Sequence, residues 1–407
     1  MTVPIRNNDG FRPILVETET ALPREKRCPR RVMLGWPHLI AIVTVSVLFG
    51  VAFTTKIHCS DDHPTLRIPS AETTAVKLNI TANTTAIKLN INNGLPETLP
   101  NTGKWPKVAW LMSFPNSGTS FTTKMVRHLS HMSTATNYGE EFLDAQGNSI
   151  PIYENSTEGP FWVDPQEGAS FDFERPTIFA FTKTHCGGRC EKCGPSQYVE
   201  NPHSFLMQCL SGKIAHRSSD GEIVKEAIPQ YDLELVQRAV HLIRNPFDNV
   251  VSRFHLELHG FDSHKLKEFP SSREGFRKFC FYLNTAFEKE EESSRLMDPK
   301  VWQLMKDVPC RDDFFRFVQW HNLAFVTTQS MGIPTLVVHY ENYETKYNET
   351  AQQMMEFLHL PPRGELIDFY MGKEYDYFSP AEQDNVKKAM KIMALSFTWD
   401  QISHYFE

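Results

Sequence analysis

Residues 108–126, VAWLMSFPNSGTSFTTKMV, decide how the chain folds. Val108–Met112 is an unbroken apolar run, as expected of a strand buried on both faces of a sheet. Pro115, Asn116, Ser117 and Gly118 then force a tight turn, and the hydroxyl residues that follow lead into a helix. A strand, a tight turn and a helix in this order gather backbone N–H groups and a positive helix end around one point, a ready anion site. The loop is not a nucleoside-triphosphate loop of the G-x-x-x-x-G-K-[ST] type. It has the single glycine Gly118 and no lysine before Thr119 or Ser120. Ser and Thr at such a turn also serve as ordinary helix caps, so on this stretch alone a structural cap and an anion site stand side by side.

The rest of the chain sets the context. With 407 residues, 41% apolar and 12% aromatic, it can bury a large core in one big domain or two smaller ones. A net charge of −7 gives no global sign of a nucleic-acid partner, so any basic funnel for an anion must be local. Short β-type runs at 108–113, 178–182, 239–243 and 335–339 alternate with helical patterns. They predict an α/β fold, a central parallel sheet with helices on both faces and ligands at the carboxyl ends of the strands. After the third run comes IRNPFDNVVSRFH. If Pro246 opens a helix there, Arg244 and Ser252 can reach one phosphate. DDFFRFVQWHNLAF at 312–325 has the spacing of a helix packed on the core.

The N-terminal region carries a second set of expectations. Met33–Phe53 is uncharged and of bilayer-spanning length, preceded by Arg24, Lys26, Arg27, Arg30 and Arg31. It predicts one transmembrane anchor with residues 1–32 as a cytoplasmic tail and the bulk in the lumen. A signal peptide or a buried core helix are the competing readings. Residues 54–104, with TTAVKLNI nearly repeated as TTAIKLNI, read as a stem, and the folded domain is expected over 105–407. Sequons at Asn79, Asn83, Asn155 and Asn348 fit a lumenal domain. So does the cysteine set Cys186, Cys190, Cys193, Cys209, Cys280 and Cys310, for which disulfides are favoured over a zinc site built on HCGGRCEKC with His185 and His203.

At this point the sequence resembles the sulfotransferases that use 3'-phosphoadenosine 5'-phosphosulfate (PAPS). SFPNSGTSF is similar to the family's 5'-phosphosulfate loop Y-P-K-S-G-T-T-W, and RNPFDNVVS to its 3'-phosphate motif R-N-P-x-D-x-x-x-S. KTH at 183–185 and YENYETKYNETAQQMMEFLHL at 340–360 resemble two further family segments. The resemblance implies the sulfotransferase fold, a P-loop-like parallel sheet, over roughly residues 105–400, with PAPS as donor and no metal required. It also implies roles. Asn116, Ser117, Gly118, Thr119, Ser120 and Phe121 would line the 5'-phosphosulfate and adenine end, and Arg244 and Ser252 would take the 3'-phosphate. His185 would be the general base and Lys183 would stabilise the departing charge.

Two positions depart from the family pattern: Asn116 stands where the family has a lysine, and the C-terminal Arg-Lys-Gly is absent, with Lys373 the nearest substitute. The expected protein is therefore a Golgi-type, single-pass type II membrane sulfotransferase acting on a hydroxyl of a glycan or glycoprotein, with a homodimer left open. The alternative is a catalytically weak relative that binds nucleotide or glycan without turnover.

Overall fold

The computed structural model describes residues 105–153, 160–164, 173–188, 201–228, 230–294, 297–371 and 376–407. Its strands, in chain order, are β1 (Lys107–Ser113), β2 (Ala135–Thr136), β3 (Trp162–Val163), β4 (Phe179–Thr184), β5 (Gly212–Arg217), β6 (Ile223–Ile228), β7 (Val236–Ile243) and β8 (Thr335–His339). The helices used below are α1 (Thr119–Ser130), α2 (Pro202–Leu210), α3 (Pro246–Leu258), α4 (Arg273–Ser294), α5 (Arg311–Met331), α6 (Tyr347–Leu358) and α7 (Pro380–Met393).

Six strands form one sheet in the order β3-β2-β4-β1-β7-β8, and β5 and β6 form a separate antiparallel pair. β2, β4, β1, β7 and β8 are mutually parallel, with Leu111 opposite Lys183 on one side and Val240 on the other. β3 runs antiparallel to β2. The sheet is therefore mixed, which corrects the expectation of a parallel one. β3, at one edge, and its neighbour β2 have two residues each, too few to leave an alternation in the sequence, and their antiparallel pairing needs no helical crossover.

The alternation along β1 shows how helices cover both faces. Val108, Trp110 and Met112 enter a core with Phe314, Phe317 and Trp320 of α5 and Val386 and Met390 of α7. Ala109 and Leu111 enter a second core with Met125 and Val126 of α1 and Met354 and Leu358 of α6. All five of these β1 side chains are fully buried, which is why the run lacks a polar phase. The predicted helix at 312–325 lies within α5, with its aromatics in the first core.

The membrane expectations require correction. Among the described residues no helix is long and apolar enough to cross a membrane. The longest helices, α4 with 22 residues and α5 with 21, carry charged residues throughout or at their starts and pack by one face against the core. The transmembrane element of the fold, the membrane-anchored single-pass type II arrangement, the Golgi-membrane location and the homodimer are thus not carried by this structure. The run 33–53, the stem and the sequons at Asn79, Asn83 and Asn155 lie outside the described residues. Asn348 is exposed in the first turn of α6.

Disulfides join Cys186 to Cys209 and Cys280 to Cys310. The first takes both thiols out of the zinc set considered for HCGGRCEKC, whose Cys190 and Cys193 lie outside the described residues. The second ties α4 to the start of α5 across a separation of 30 residues. Replacing Cys280 and Cys310 together by alanine should lower unfolding free energy by about 3–4 kcal/mol, from loop-closure entropy alone. Chemical denaturation measures this; a loss below about 1 kcal/mol would contradict a structural role for the bond.

Candidate functional site

The loop from β1 to α1 is shaped by two left-handed residues, Asn116 at φ 67° and Gly118 at φ 93°. Asn tolerates that region better than most side chains. Gly118 is required twice over, since a Cβ there would lie 2.1 Å from ring carbons of Tyr340. Gly118 is the N-cap of α1 without any side-chain cap, and the first turn holds no acidic residue. The N–H groups that open a helix have no intrahelical acceptor, so this end presents donors and a positive partial charge.

Around the loop the side chains interlock. Ser117 is fully buried, and its hydroxyl accepts from Asn249 Nδ2 at 3.1 Å, an amide that also donates to the Pro115 carbonyl at 2.9 Å. Thr119 Oγ1 shares a hydrogen bond with Ser113 Oγ at 2.7 Å. Ser120 is exposed on the first turn of α1. Phe121 is half-buried among Tyr343, Tyr347 and Phe369, with ring centroids 4.8 Å from Phe369 and 5.0 Å from Tyr343.

The second motif arrives from β7. Asn245 caps α3 by accepting from the Phe247 N–H at 2.9 Å, and Pro246 occupies the first turn, where its missing donor costs nothing. Arg244, at the strand exit, donates from Nη1 to the Asn116 carbonyl at 2.8 Å and lies 4.8 Å above the Tyr340 ring centre. Its Nε is buried with no hydrogen-bond partner among the described residues. Ser252 lies in the second turn of α3, half-buried, and no hydrogen bond among the described residues joins it to Arg244. The two motifs therefore meet through Arg244 and Asn249, not through Ser252.

The third element is the end of β4. His185 is 7% exposed; its Nδ1 donates to the Ser113 carbonyl at 2.8 Å and lies 3.3 Å from Ser113 Oγ. Its backbone is pinned on both sides: its N–H donates to Tyr138 OH at 2.8 Å, and its carbonyl accepts from Trp320 Nε1 at 2.8 Å. The Tyr138 ring stacks on the imidazole at 19° between planes. Burial pushes the Tyr138 hydroxyl up to about 12 and the Tyr340 hydroxyl above its usual value, so both remain protonated. Lys183 is held by Glu141 at 2.6 Å, both side chains largely buried.

The structure thus brings Asn116, Ser117, Gly118, Thr119, Arg244 and His185 together at the β1–α1 turn, with Thr119 and His185 bonded to Ser113, Arg244 to the Asn116 carbonyl and Ser117 to Asn249. Lys183 stands apart in its ion pair, and no hydrogen bond among the described residues ties Ser252 into the group. Lys373, the nearest substitute for the absent C-terminal motif, lies outside the described residues. Sequence reasoning missed Ser113, Tyr138, Glu141, Asn249 and Tyr340 as site residues. Asn249 and Tyr340 lay inside the quoted motifs, whereas Tyr138 and Glu141 sit in a segment with no motif. The residues fit a doubly charged nucleotide: a donor-rich helix end and a buried guanidinium nitrogen without a partner both lack an anion that they are built to meet. Among the described residues no group of three or more His, Cys, Asp or Glu is arranged to hold a metal.

No curated protein matches the chain. Residues 106–391, most of the chain and all the elements of this site, match the sulfotransferase domain family. That match carries sulfuryl transfer with a PAPS-type donor at the level of the family. Taken with the loop, guanidinium and histidine geometry above, it makes the chain a member of the sulfotransferase domain family.

Proposed function

We propose that the protein transfers a sulfuryl group from PAPS to a hydroxyl of a glycan or glycoprotein in the secretory pathway. The observation that carries the chemistry is the hydrogen bond from His185 Nδ1 to the Ser113 carbonyl. A carbonyl can only accept, so in the neutral ring Nδ1 carries the hydrogen and Nε2 is the basic nitrogen. Ser113 also holds Thr119, so the base and the anion loop are fixed to the same strand end. The donor supplies the activated sulfuryl group. Residues 118–121 would hold its 5' end, Arg244 its 3'-phosphate and the Phe121 cluster its base. His185 would take the acceptor proton at Nε2. In-line transfer of this kind rests on positioning and electrostatics more than on covalent help. The acceptor class is supported by the two disulfides, which belong to an oxidising compartment where glycan hydroxyls abound.

A second reading, nucleotide or glycan binding without turnover, is favoured by one observation: Glu141 neutralises Lys183, while Asn116 supplies no charge in the loop. Incubating the protein with radiolabelled PAPS and a panel of glycans separates the two. Label transferred to a glycan supports the enzyme; nucleotide binding with no transfer to any acceptor supports the second reading.

Two substitutions test the assignments. His185→Ala should lower turnover by roughly 100-fold or more while nucleotide affinity changes little, because proton removal acts in the transition state. Near-normal turnover in a variant with an unchanged melting temperature would refute the base. Arg244→Ala should weaken adenosine 3',5'-bisphosphate by about 1.5–3 kcal/mol, the usual range for a hydrogen bond to a charged group, and adenosine 5'-monophosphate far less. Equal losses in calorimetric titration would remove Arg244 from the 3'-phosphate site.

A further inference from the structure

Beside the Arg244 guanidinium at the exit of β7, the next strand of the sheet places groups to which no role has yet been given. Tyr340 and Glu341 follow β8 directly, Tyr340 under the Arg244 guanidinium and Glu341 against the peptide that follows Arg244. Glu341 Oε1 accepts from the Asn245 N–H at 2.8 Å, and Glu341 Oε2 accepts from Tyr405 OH at 2.7 Å. Tyr405 belongs to the C-terminal turn Ser403–Phe406, and its hydroxyl also lies 2.8 Å from His339 Nδ1. Burial first, then the Glu341 charge, hold the Tyr405 hydroxyl well above its ordinary value, so it stays a donor.

Glu341 binds the N–H of the residue that follows Arg244, whose Nε has no hydrogen-bond partner among the described residues, and a carboxylate released in that turn could form a strong pair with the guanidinium. Here both carboxylate oxygens are taken up elsewhere, and no ion pair joins Glu341 to Arg244 among the described residues. We infer that Tyr405 is a positioning residue for the donor site: by holding Glu341 away from Arg244, the C-terminal turn keeps the guanidinium available for the 3'-phosphate. The inference rests on the assignment of Arg244 to that phosphate.

The test compares adenosine 3',5'-bisphosphate with adenosine 5'-monophosphate by calorimetric titration of the full chain. Tyr405→Phe keeps the ring and removes the hydroxyl, freeing Glu341 to compete. Affinity for the bisphosphate should fall about tenfold, the scale of one hydrogen bond near a charge, with the monophosphate within about twofold. Adding Glu341→Gln to Tyr405→Phe should restore the bisphosphate to within about threefold of wild type. The amide still accepts from Asn245 but no longer competes as an anion. Glu341→Gln alone should also stay within about threefold, an arm that does not depend on the folding of the Tyr405 variant. An unchanged bisphosphate affinity in Tyr405→Phe, equal loss for both nucleotides, no rescue by Glu341→Gln, or a tenfold loss in Glu341→Gln alone would each overturn the inference. A wild type that does not prefer the bisphosphate would instead overturn the Arg244 assignment, and this inference with it.

Discussion

The Tyr340 ring lies where a Cβ of residue 118 would be, and the backbone there is left-handed. This close approach lets the chain turn from β1 into α1 within five residues and exposes the start of α1 without a side-chain cap. Each partner of the site depends on it. Arg244 reaches the Asn116 carbonyl because the turn brings that carbonyl toward β7, and Asn249 reaches Ser117 because the turn buries its hydroxyl. Any other residue at 118 would displace the ring that also lies beneath Arg244. A steric constraint at one position therefore sets the spacing between two anion-binding groups.

Magnitudes order the contributions to donor recognition. A helix end contributes about 0.3–1 kcal/mol to a nearby anion, and up to about 2 kcal/mol when partly buried. Hydrogen bonds between a guanidinium and a phosphate contribute roughly 1.5–3 kcal/mol. On the proposed assignment, affinity for a nucleotide with a 3'-phosphate would be governed mainly by Arg244, while the α1 end would orient the other phosphate. Lys183 adds less than its charge implies, because Glu141 shares it at 2.6 Å. Tying His185 to the same Ser113 that holds Thr119 means that a shift of the anion loop would also shift the base.

The parts of the fold and site that were legible in the sequence were those with local causes. The β1 run has no polar phase because helices cover both of its faces, and Pro246 could be placed at a helix start because its ring and missing donor suit that position. The short strands β2 and β3 could not be foreseen, since two residues carry no period. Tyr138 and Glu141 were missed for a different reason. Tyr138 is 47 residues from the His185 it supports and Glu141 is 42 from Lys183, so only the folded sheet brings them together. Ser252 was the converse case, a motif residue on the same helix as Asn249 that no hydrogen bond among the described residues joins to Arg244. The membrane expectation rested on the apolar run 33–53 and its basic flank, with the stem, sequons and cysteines as support, and among the described residues no helix is long and apolar enough to cross a membrane.

Asn116 is the position where conformation and charge pull in opposite directions. At φ 67° a long side chain is less favourable than Asn, whose short polar group suits the left-handed region. The same residue offers its carbonyl to Arg244, so its backbone already serves the site. What is lost is a cation beside the 5' end of the donor. The α1 terminus supplies only partial charge there, and Lys183 is engaged by Glu141. Charge developing on the leaving phosphate would therefore be met by aligned N–H groups and by whatever share of Lys183 its carboxylate partner releases. Since Glu141 and Lys183 are both largely buried, their separation would leave two desolvated charges, and the pair is more readily kept than broken. Charge at the 5' end is then limited by the fold around Glu141 as much as by the substitution at Asn116.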